Sequence, residues 1–342
     1  MRRLTRFAGA VAAAVALTLA VAGCSSDDGA SSGKDTIHVN FGYIADFNGT
    51  SLLAIAKDQG LWEKHGVDVS AKPFTNGPLQ IQALSTGDLD FGYIGPGAFW
   101  LPASGQAKLV AMNTLGRADR VVAQPGIDSM QELKGKTVAV PEGTSGDMIL
   151  TLALQKAGMT KDDIKVVPMD PAAMVAALAS KKVDGAGFWY PALATVKQQV
   201  PDLVELAKNT DFEDTVAFPT AFVAGNDVVA KKKDELQRVL AALRDAIAYR
   251  AAHTDEAIKL TAEFNKLDPE MVKADAANVE VLSLEQIDQM TKDGTVNKWL
   301  SGMNDYFVQA GKLDAPVDPT EYYTGDQFLA AADATAGESA GE

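Results

Sequence analysis

Two stretches of this chain repeat each other at one fixed spacing, and that constrains the fold more than any other feature of the sequence. Asn48-Gly49-Thr50-Ser51 and Glu142-Gly143-Thr144-Ser145 stand 94 residues apart. At the same offset, Ile81-Gln82-Ala83-Leu84 through Leu89-Asp90 lies over Val175-Ala176-Ala177-Leu178 through Val183-Asp184, with Ala83/Ala177, Leu84/Leu178 and Asp90/Asp184 identical. Around both copies short β-rich runs alternate with helical patterns, as in α/β folds with parallel strands. Strands are expected at Ile37–Tyr43, Val67–Lys72, Phe91–Ile94 and Leu109–Thr114 in the first series. In the second they are expected at Thr137–Val140, Ile164–Pro168 and Val183–Phe188, with helices opening at Ser145, Pro171 and Pro191. The shared grammar of βαβ units can itself produce such matches, and either origin implies two similar lobes. After Pro219 one more strand, Thr220–Gly225, precedes an ending that reads as all-helical: Lys233–Tyr249, Asp255–Lys266, Pro269–Val279 and Thr295–Ala310. The expected fold is therefore α/β, with two mixed, mainly parallel sheets, helices on both faces and a helical C-terminal extension.

The N-terminus reads as an address. Arg2, Arg3 and Arg6 precede an apolar run from Phe7 to Val21, too short for the roughly 20 residues of a membrane span. The run ends in Val21-Ala22-Gly23-Cys24, the pattern of a lipoprotein signal peptide cut before a cysteine that takes a lipid. Cys24 is the sole cysteine, so no intramolecular disulfide is possible and the exported part must rely on its apolar core. Residues 1–23 are thus expected to be a signal peptide, 24–35 a flexible tether and 331–342 a disordered tail. A formal charge of −14, carried with a basic leader, disfavours nucleic acid as a partner.

Two α/β lobes leave a cleft at the carboxyl ends of their strands, where ligands bind in open sheets. Each Gly-Thr-Ser follows a strand and opens a helix, which puts orphan amides and the positive end of the helix dipole there. Gly49, Thr50, Thr144, Ser145 and Gly146 are therefore candidate ligand contacts, and an ordinary N-cap is the competing explanation. Gly95-Pro96-Gly97-Ala98 follows another strand. Asp46 and Asn48 lie after the first strand, where Asp46 can pair with a ligand amine or simply be solvated. Trp189 and Tyr190 end a strand at the same level and can cover an alkyl chain or pack the core. Arg117 could reach an anion from the segment between the lobes. The three histidines His38, His65 and His253 fall outside these loops, and no metal-ligand spacing, Gly-x-Ser-x-Gly elbow or phosphate loop is present. That inventory points away from an enzyme, and no cofactor or metal is expected.

Four segments carry a family resemblance: Ala54-Ile55-Ala56-Lys57-Asp58-Gln59-Gly60-Leu61-Trp62-Glu63-Lys64-His65-Gly66-Val67, Gln82-Ala83-Leu84-Ser85-Thr86-Gly87-Asp88-Leu89-Asp90-Phe91-Gly92, Leu133-Lys134-Gly135-Lys136-Thr137-Val138-Ala139-Val140-Pro141 and Asp184-Gly185-Ala186-Gly187-Phe188-Trp189-Tyr190-Pro191-Ala192-Leu193. From about Ile37 to Tyr323 the chain resembles the solute-binding proteins of aliphatic sulfonate, taurine and nitrate importers, with the type II periplasmic-binding fold. Relatives with similar segments carry bicarbonate or a thiamine pyrimidine precursor. The resemblance implies two crossing segments, near Ala118–Ala123 and Asp214–Val223, dividing the chain into a first lobe of residues 36–120 plus 220–330 and a second of 121–219. It implies ligand contacts at the loop after the first strand, Gly95 to Ala98, the second Gly-Thr-Ser, Trp189-Tyr190 and Pro219-Thr220. It also implies a monomer held at the outer face of the cytoplasmic membrane, delivering a small ligand to an ABC permease with its cytoplasmic ATPase.

Overall fold

The computed structural model describes residues 36–339, with side chains to 332; the expected signal peptide, lipidated Cys24 and tether lie outside the described residues. The chain opens with β1 (Ile37–Ile44), α1 (Phe47–Asp58), α2 (Leu61–Lys64), β2 (Val67–Phe74), α3 (Gly77–Thr86), β3 (Phe91–Ile94), α4 (Trp100–Ala103) and β4 (Lys108–Gly116). A second run holds β5 (Asp119–Ala123), β6 (Thr137–Val140), α5 (Ser145–Lys156), β7 (Lys165–Pro168), α6 (Pro171–Ala179), β8 (Gly185–Trp189), α7 (Ala192–Gln199) and β9 (Val204–Lys208). The chain then returns through β10 (Pro219–Ala224) to α8 (Asn226–Lys231), α9 (Lys233–Ala252), α10 (Thr254–Asn265), α11 (Pro269–Ala276), β11 (Val279–Val281), α12 (Leu284–Lys292), α13 (Thr295–Gln309) and α14 (Gly325–Ser339).

Among the described residues the strands form two sheets, ordered β11-β4-β10-β3-β1-β2 and β7-β6-β8-β5-β9. Both are mixed, as expected. The antiparallel share is larger than "mainly parallel" implies: β1 pairs parallel with β2 and β3, and β6 with β7 and β8, but β10, β4, β11, β5 and β9 pair antiparallel. The cause is the crossing. β5 and β10 enter their sheets from the end at which β8 and β3 finish, so they must run against them.

The sheets change over at Arg117-Ala118 and again between β9 and Pro219. Asp119–Ala123, expected to be a crossing segment, is a strand of the second sheet, and Pro219 already belongs to the first; both expected boundaries shift by one or two residues. The ending also departs from the all-helical expectation, since β11 adds an edge strand to β4. Helix α14 runs to Ser339 through most of the expected disordered tail; the alanine-rich stretch from Ala330 has no proline and high intrinsic helix propensity.

The repeat has a structural counterpart. Asp90 and Asp184 each precede a central strand and make the same pair of contacts to the parallel neighbour. The Asp90 amide donates to Asn40 O at 2.9 Å and its carboxylate accepts from Asn40 N at 2.9 Å; the Asp184 amide and carboxylate do the same with Thr137 O and N, both at 2.8 Å. In each copy the helix before the aspartate, α3 or α6, buries the matching leucine, Leu84 or Leu178.

Each sheet is covered by apolar side chains. Under the first, Phe41 stacks on Phe91 with centroids 5.6 Å apart and meets Phe222 edge-on at 5.7 Å, while Tyr93 leans on Phe222 at 5.8 Å. Helix α9 buries Leu236, Val239, Leu240, Leu243 and Ile247 against α1 and α14, so the C-terminal helices pack back on the first sheet. A separate cluster, with Val122, Ala139, Met174, Leu178, Phe188 and Leu193, lies about the second. Tyr93 is fixed further by Gln80 of α3, whose side chain donates to Tyr93 O at 2.7 Å and accepts from Tyr93 N at 2.9 Å.

Candidate functional site

Where β1, β3, β6 and β8 end and β5 and β10 begin, the loops of the two sheets line a small open void of about 40 Å³. That is room for a compact group of a few heavy atoms in the arrangement seen. Asp46, Asn48, Gly95, Pro96, Ala98, Thr144, Ser145, Trp189 and Thr220 line it, as expected. Ile44, Gly77, Tyr93, Gly116, Ala118 and Asp119 line it too, and sequence reasoning did not single these out.

The remaining candidates have other duties. Helix α1 begins at Phe47, capped by Asp46, so the first Gly-Thr-Ser begins at the third helical residue and not at the cap. Its amides are already taken: Gly49 N donates to Asp46 Oδ1 at 2.6 Å and Thr50 N to Asp46 O at 3.1 Å. The Thr50 hydroxyl donates to Ile44 O, and Ser51 Oγ accepts from Arg250 at 3.0 Å. Paired turns presenting open amides from both halves are therefore not found. Only the second copy stands at a helix start, with Thr144 in the cap position of α5. Even there, Gly143 N is bound by Asp147 at 3.0 Å and the Thr144 hydroxyl donates to Pro141 O.

Gly97 and Gly146 are packing residues. A Cβ on Gly97 would fall 2.1 Å from Thr144 C and O, so this turn touches the backbone of the other half directly. A Cβ on Gly146 would fall 2.4 Å from Gly187 O, where α5 rests on β8. Pro219 and Tyr190 stay off the void; the Arg120 guanidinium lies over the Tyr190 ring, 5.9 Å from its centroid. Arg117 is turned away, paired with Glu213 at 2.7 Å and Glu280 at 2.6 Å.

On the first-sheet side the floor is a neutral network. Thr114 Oγ1 meets Asn48 Oδ1 at 2.7 Å and Thr220 Oγ1 at 2.8 Å, and Asn113 Nδ2 donates to Asn48 O at 2.9 Å. Behind it lies Arg250, fully buried, donating to Ser51 Oγ and to Asn113 O at 3.1 Å.

The opposite wall holds Asp119, 4 % exposed. Asn209 clamps it: Asn209 Nδ2 donates to Asp119 Oδ2 at 2.9 Å, and Asn209 Oδ1 accepts the Asp119 amide at 2.7 Å. Asp119 Oδ1 is buried outside ordinary hydrogen-bond geometry, and the Ser145 side chain is a further donor to this carboxyl. Two carboxyls therefore line the void while no lysine, arginine or histidine does.

Burial pushes the Asp119 carboxyl up, and neighbouring Ser145, Asn209 and Arg120 draw it part of the way back. Burial, with Asp275 and Asp119 nearby, lifts Asp46 well above the ordinary range. Asp275, whose Oδ2 accepts Phe47 N at 2.7 Å, is raised by burial to about 7. A raised carboxyl stabilises the fold while protonated: the contribution is complete below the unfolded value near 3.8 and is lost as pH rises through the folded value near 7. The melting temperature is thus expected to fall between about pH 4 and pH 7. Asp275→Asn, which keeps an acceptor for Phe47 N, should flatten that fall, and an equally steep profile in the variant would contradict the assignment.

Comparison with known proteins follows from this geometry. A protein of Brucella abortus (strain 2308), named only as a binding protein, is 53 % identical over 296 residues, covering 86 % of this chain and 93 % of its own. Among solved structures, the alkanesulfonate-binding protein SsuA from Xanthomonas axonopodis pv. citri bound to MOPS superposes with a TM-score of 0.65 at 22 % identity, covering 85 % of this chain and 99 % of that one. The desulfurization enzyme DSZB has a TM-score of 0.63 at 15 % identity, covering 88 % of this chain and 100 % of that one. These likenesses show the periplasmic-binding fold, which binding proteins and an enzyme share. The profile of the NMT1/THI5-like family matches residues 48–257, more than half the chain, and with the extent of the Brucella match it follows that this protein belongs to the NMT1/THI5-like family.

Proposed function

We propose that this chain is the extracytoplasmic solute-binding component of an ABC importer. In this reading a lipid on Cys24 holds it at the outer face of the cytoplasmic membrane, and it acts as a monomer that presents a small captured ligand to a permease and its cytoplasmic ATPase. The observation that carries the reading is the void itself. Loops from two separate sheets, whose chain crosses between them at Arg117-Ala118 and before Pro219, bring polar groups from both sides to one space. A ligand there touches both halves and favours the arrangement in which they meet over one in which they part. Contacts across the mouth have the same sense: Thr75 Oγ1 and Asn76 Nδ2 donate to Asp170 Oδ1 at 3.1 and 3.4 Å.

For the ligand, an aliphatic sulfonate is the first candidate, with taurine, nitrate, bicarbonate and a thiamine pyrimidine precursor as alternatives. The start of α5 supports an anionic end, since Thr144 and Ser145 stand at the positive pole of a twelve-residue helix. The printed name of the SsuA structure, an alkanesulfonate-binding protein, gives the same direction. An exported enzyme is the competing class. Ser145 is the hydroxyl nearest such a role, but His38 and His65 are engaged with Asp68 and Asp245, each at 2.8 Å, away from the void.

Trp189 supplies the test. Because Trp189 lines the void, ligand addition should change tryptophan emission saturably, the change should vanish in Trp189→Phe, and the ligand should be recovered intact. Consumption of the ligand would replace the binder with an enzyme. Binding with no contribution from Trp189 would place the ligand elsewhere.

A further inference from the structure

The C-terminal helices do more than pack back on the first sheet. Helix α13 is tied to that sheet through Asn304, which accepts from the Tyr322 hydroxyl at 3.3 Å, while Tyr322 O accepts the Leu109 amide of β4 at 2.8 Å. From this base Tyr306 reaches the second half. Burial holds its phenol protonated, well above the ordinary range, and Thr151 and Asp147 of α5 are the groups it faces. Trp100 of α4 makes a companion contact nearer the start of α5. Its ring lies 3.6 Å from where a Cβ on Gly143 would stand, so the bare glycine lets the indole come close. Lys312, just past α13, sits over the same ring, 5.5 Å from its centroid. From Gly143 to Thr151 the first half therefore follows α5 for roughly two helical turns.

This seam differs in character from the polar void beside it. The apolar cluster of the first half continues into Met148, Ile149 and Leu152 of α5, whereas Met174, Leu178 and Phe188 of the second half form a cluster of their own. Parting the halves here would bring Met148 and Tyr306, both buried, towards water, which is unfavourable whatever the void contains.

We propose that α4 and α13 clasp α5 and hold the two halves together with or without a ligand, and that Trp100 and Tyr306 are positioning residues that set affinity without touching the ligand. The effect on affinity rests on the cleft reading above; the clasp itself does not. Apparent affinity scales with the fraction of molecules already in the binding arrangement, so a contact that keeps the halves together tightens the binding of every ligand by the same factor. The void then chooses the ligand, and the clasp sets how firmly it is held.

Thr151→Lys and Trp100→Ala test this on the purified chain. The lysine is driven against Tyr306 only while the halves meet and lies in water when they part; the alanine removes the indole from Gly143. Small-angle scattering without ligand should give a compact parent chain and a larger radius of gyration for both variants. Saturating ethanesulfonate should return the variants to the parent's value and leave the parent unchanged. By titration calorimetry each variant should bind ethanesulfonate at least fivefold more weakly, with a melting temperature close to the parent's. The proposal is overturned if the ligand-free parent is as expanded as the variants, if the variants scatter like the parent, or if expanded variants keep the parent's affinity. Loss of the melting transition in both would make the seam part of one folded core and overturn it too. Failure of ethanesulfonate to bind the parent would count against the cleft reading alone, because ligand-free scattering decides the clasp by itself.

Discussion

Gly97→Ala should weaken ligand binding at least tenfold and leave the unliganded protein folded with a nearly unchanged melting temperature. The added methyl would sit 2.1 Å from the carbonyl group of Thr144 and 2.3 Å from Ser145 N. Both neighbours are backbone at the start of a helix and cannot swing aside as a side chain would. The turn at Pro96–Ala98 belongs to the first sheet and Thr144 to the second half, so the strain is relieved by parting the halves and not by unfolding either. Only the arrangement that encloses the ligand is penalised, and a tenfold loss corresponds to about 1.4 kcal/mol of that penalty. Calorimetric titration beside a melting curve distinguishes the cases. Unchanged affinity would mean that the contact is absent when ligand is bound, and a large drop in melting temperature would mean that the two halves fold as one unit.

Gly146→Val is expected to act on stability itself, by about 3 kcal/mol, the upper part of the range for overpacking a filled interior. Here the obstruction lies within one half. The new Cβ would be 2.4 Å from Gly187 O and 3.0 Å from Phe188 Cα, and a Cβ on Gly187 would meet Gly146 O at the same 2.4 Å. The two glycines let α5 rest on β8 at backbone distance. That contact places Thr144 and Ser145 beside the end of β8, where Trp189 lines the void. Chemical denaturation measures the loss; a change below 1 kcal/mol would show that α5 shifts freely on its sheet, and binding should then fall without unfolding.

The contrast between these glycines indicates what the sequence can disclose. Periodicity and the 94-residue offset were enough for two α/β halves, because Asp90 and Asp184 do the same work in both and their surroundings are apolar in the same order. Loops at the strand ends were legible for the same reason, so Asp46, Asn48, Gly95, Thr144, Ser145, Trp189 and Thr220 fall at the void. The motif's chemistry was less so. Two copies of Gly-Thr-Ser look alike in sequence, yet Asp46 caps α1 three residues before Gly49, so the first copy is spent inside its helix while the second begins one. Two edge strands escaped as well: β9 and β11 carry Glu205, Lys208 and Glu280 and bury little, so no apolar run marks them. Asp119 was hidden in what read as a connecting segment. Its only signal is an acid opening the apolar run Val121-Val122-Ala123, and its place at the void depends on Asn209, 90 residues away, which clamps it.

The central claim is that the space between the two sheets' loops holds the ligand, and a crystal structure with a bound aliphatic sulfonate tests it most directly. The account requires the ligand between Asn48 and Thr220 on one side and Asp119 and Ser145 on the other, with its anionic end at the start of α5. A ligand lodged instead in the surface groove beside Lys57, Trp62 and Phe264, with the loops at Gly97 and Thr144 undisturbed, would contradict it.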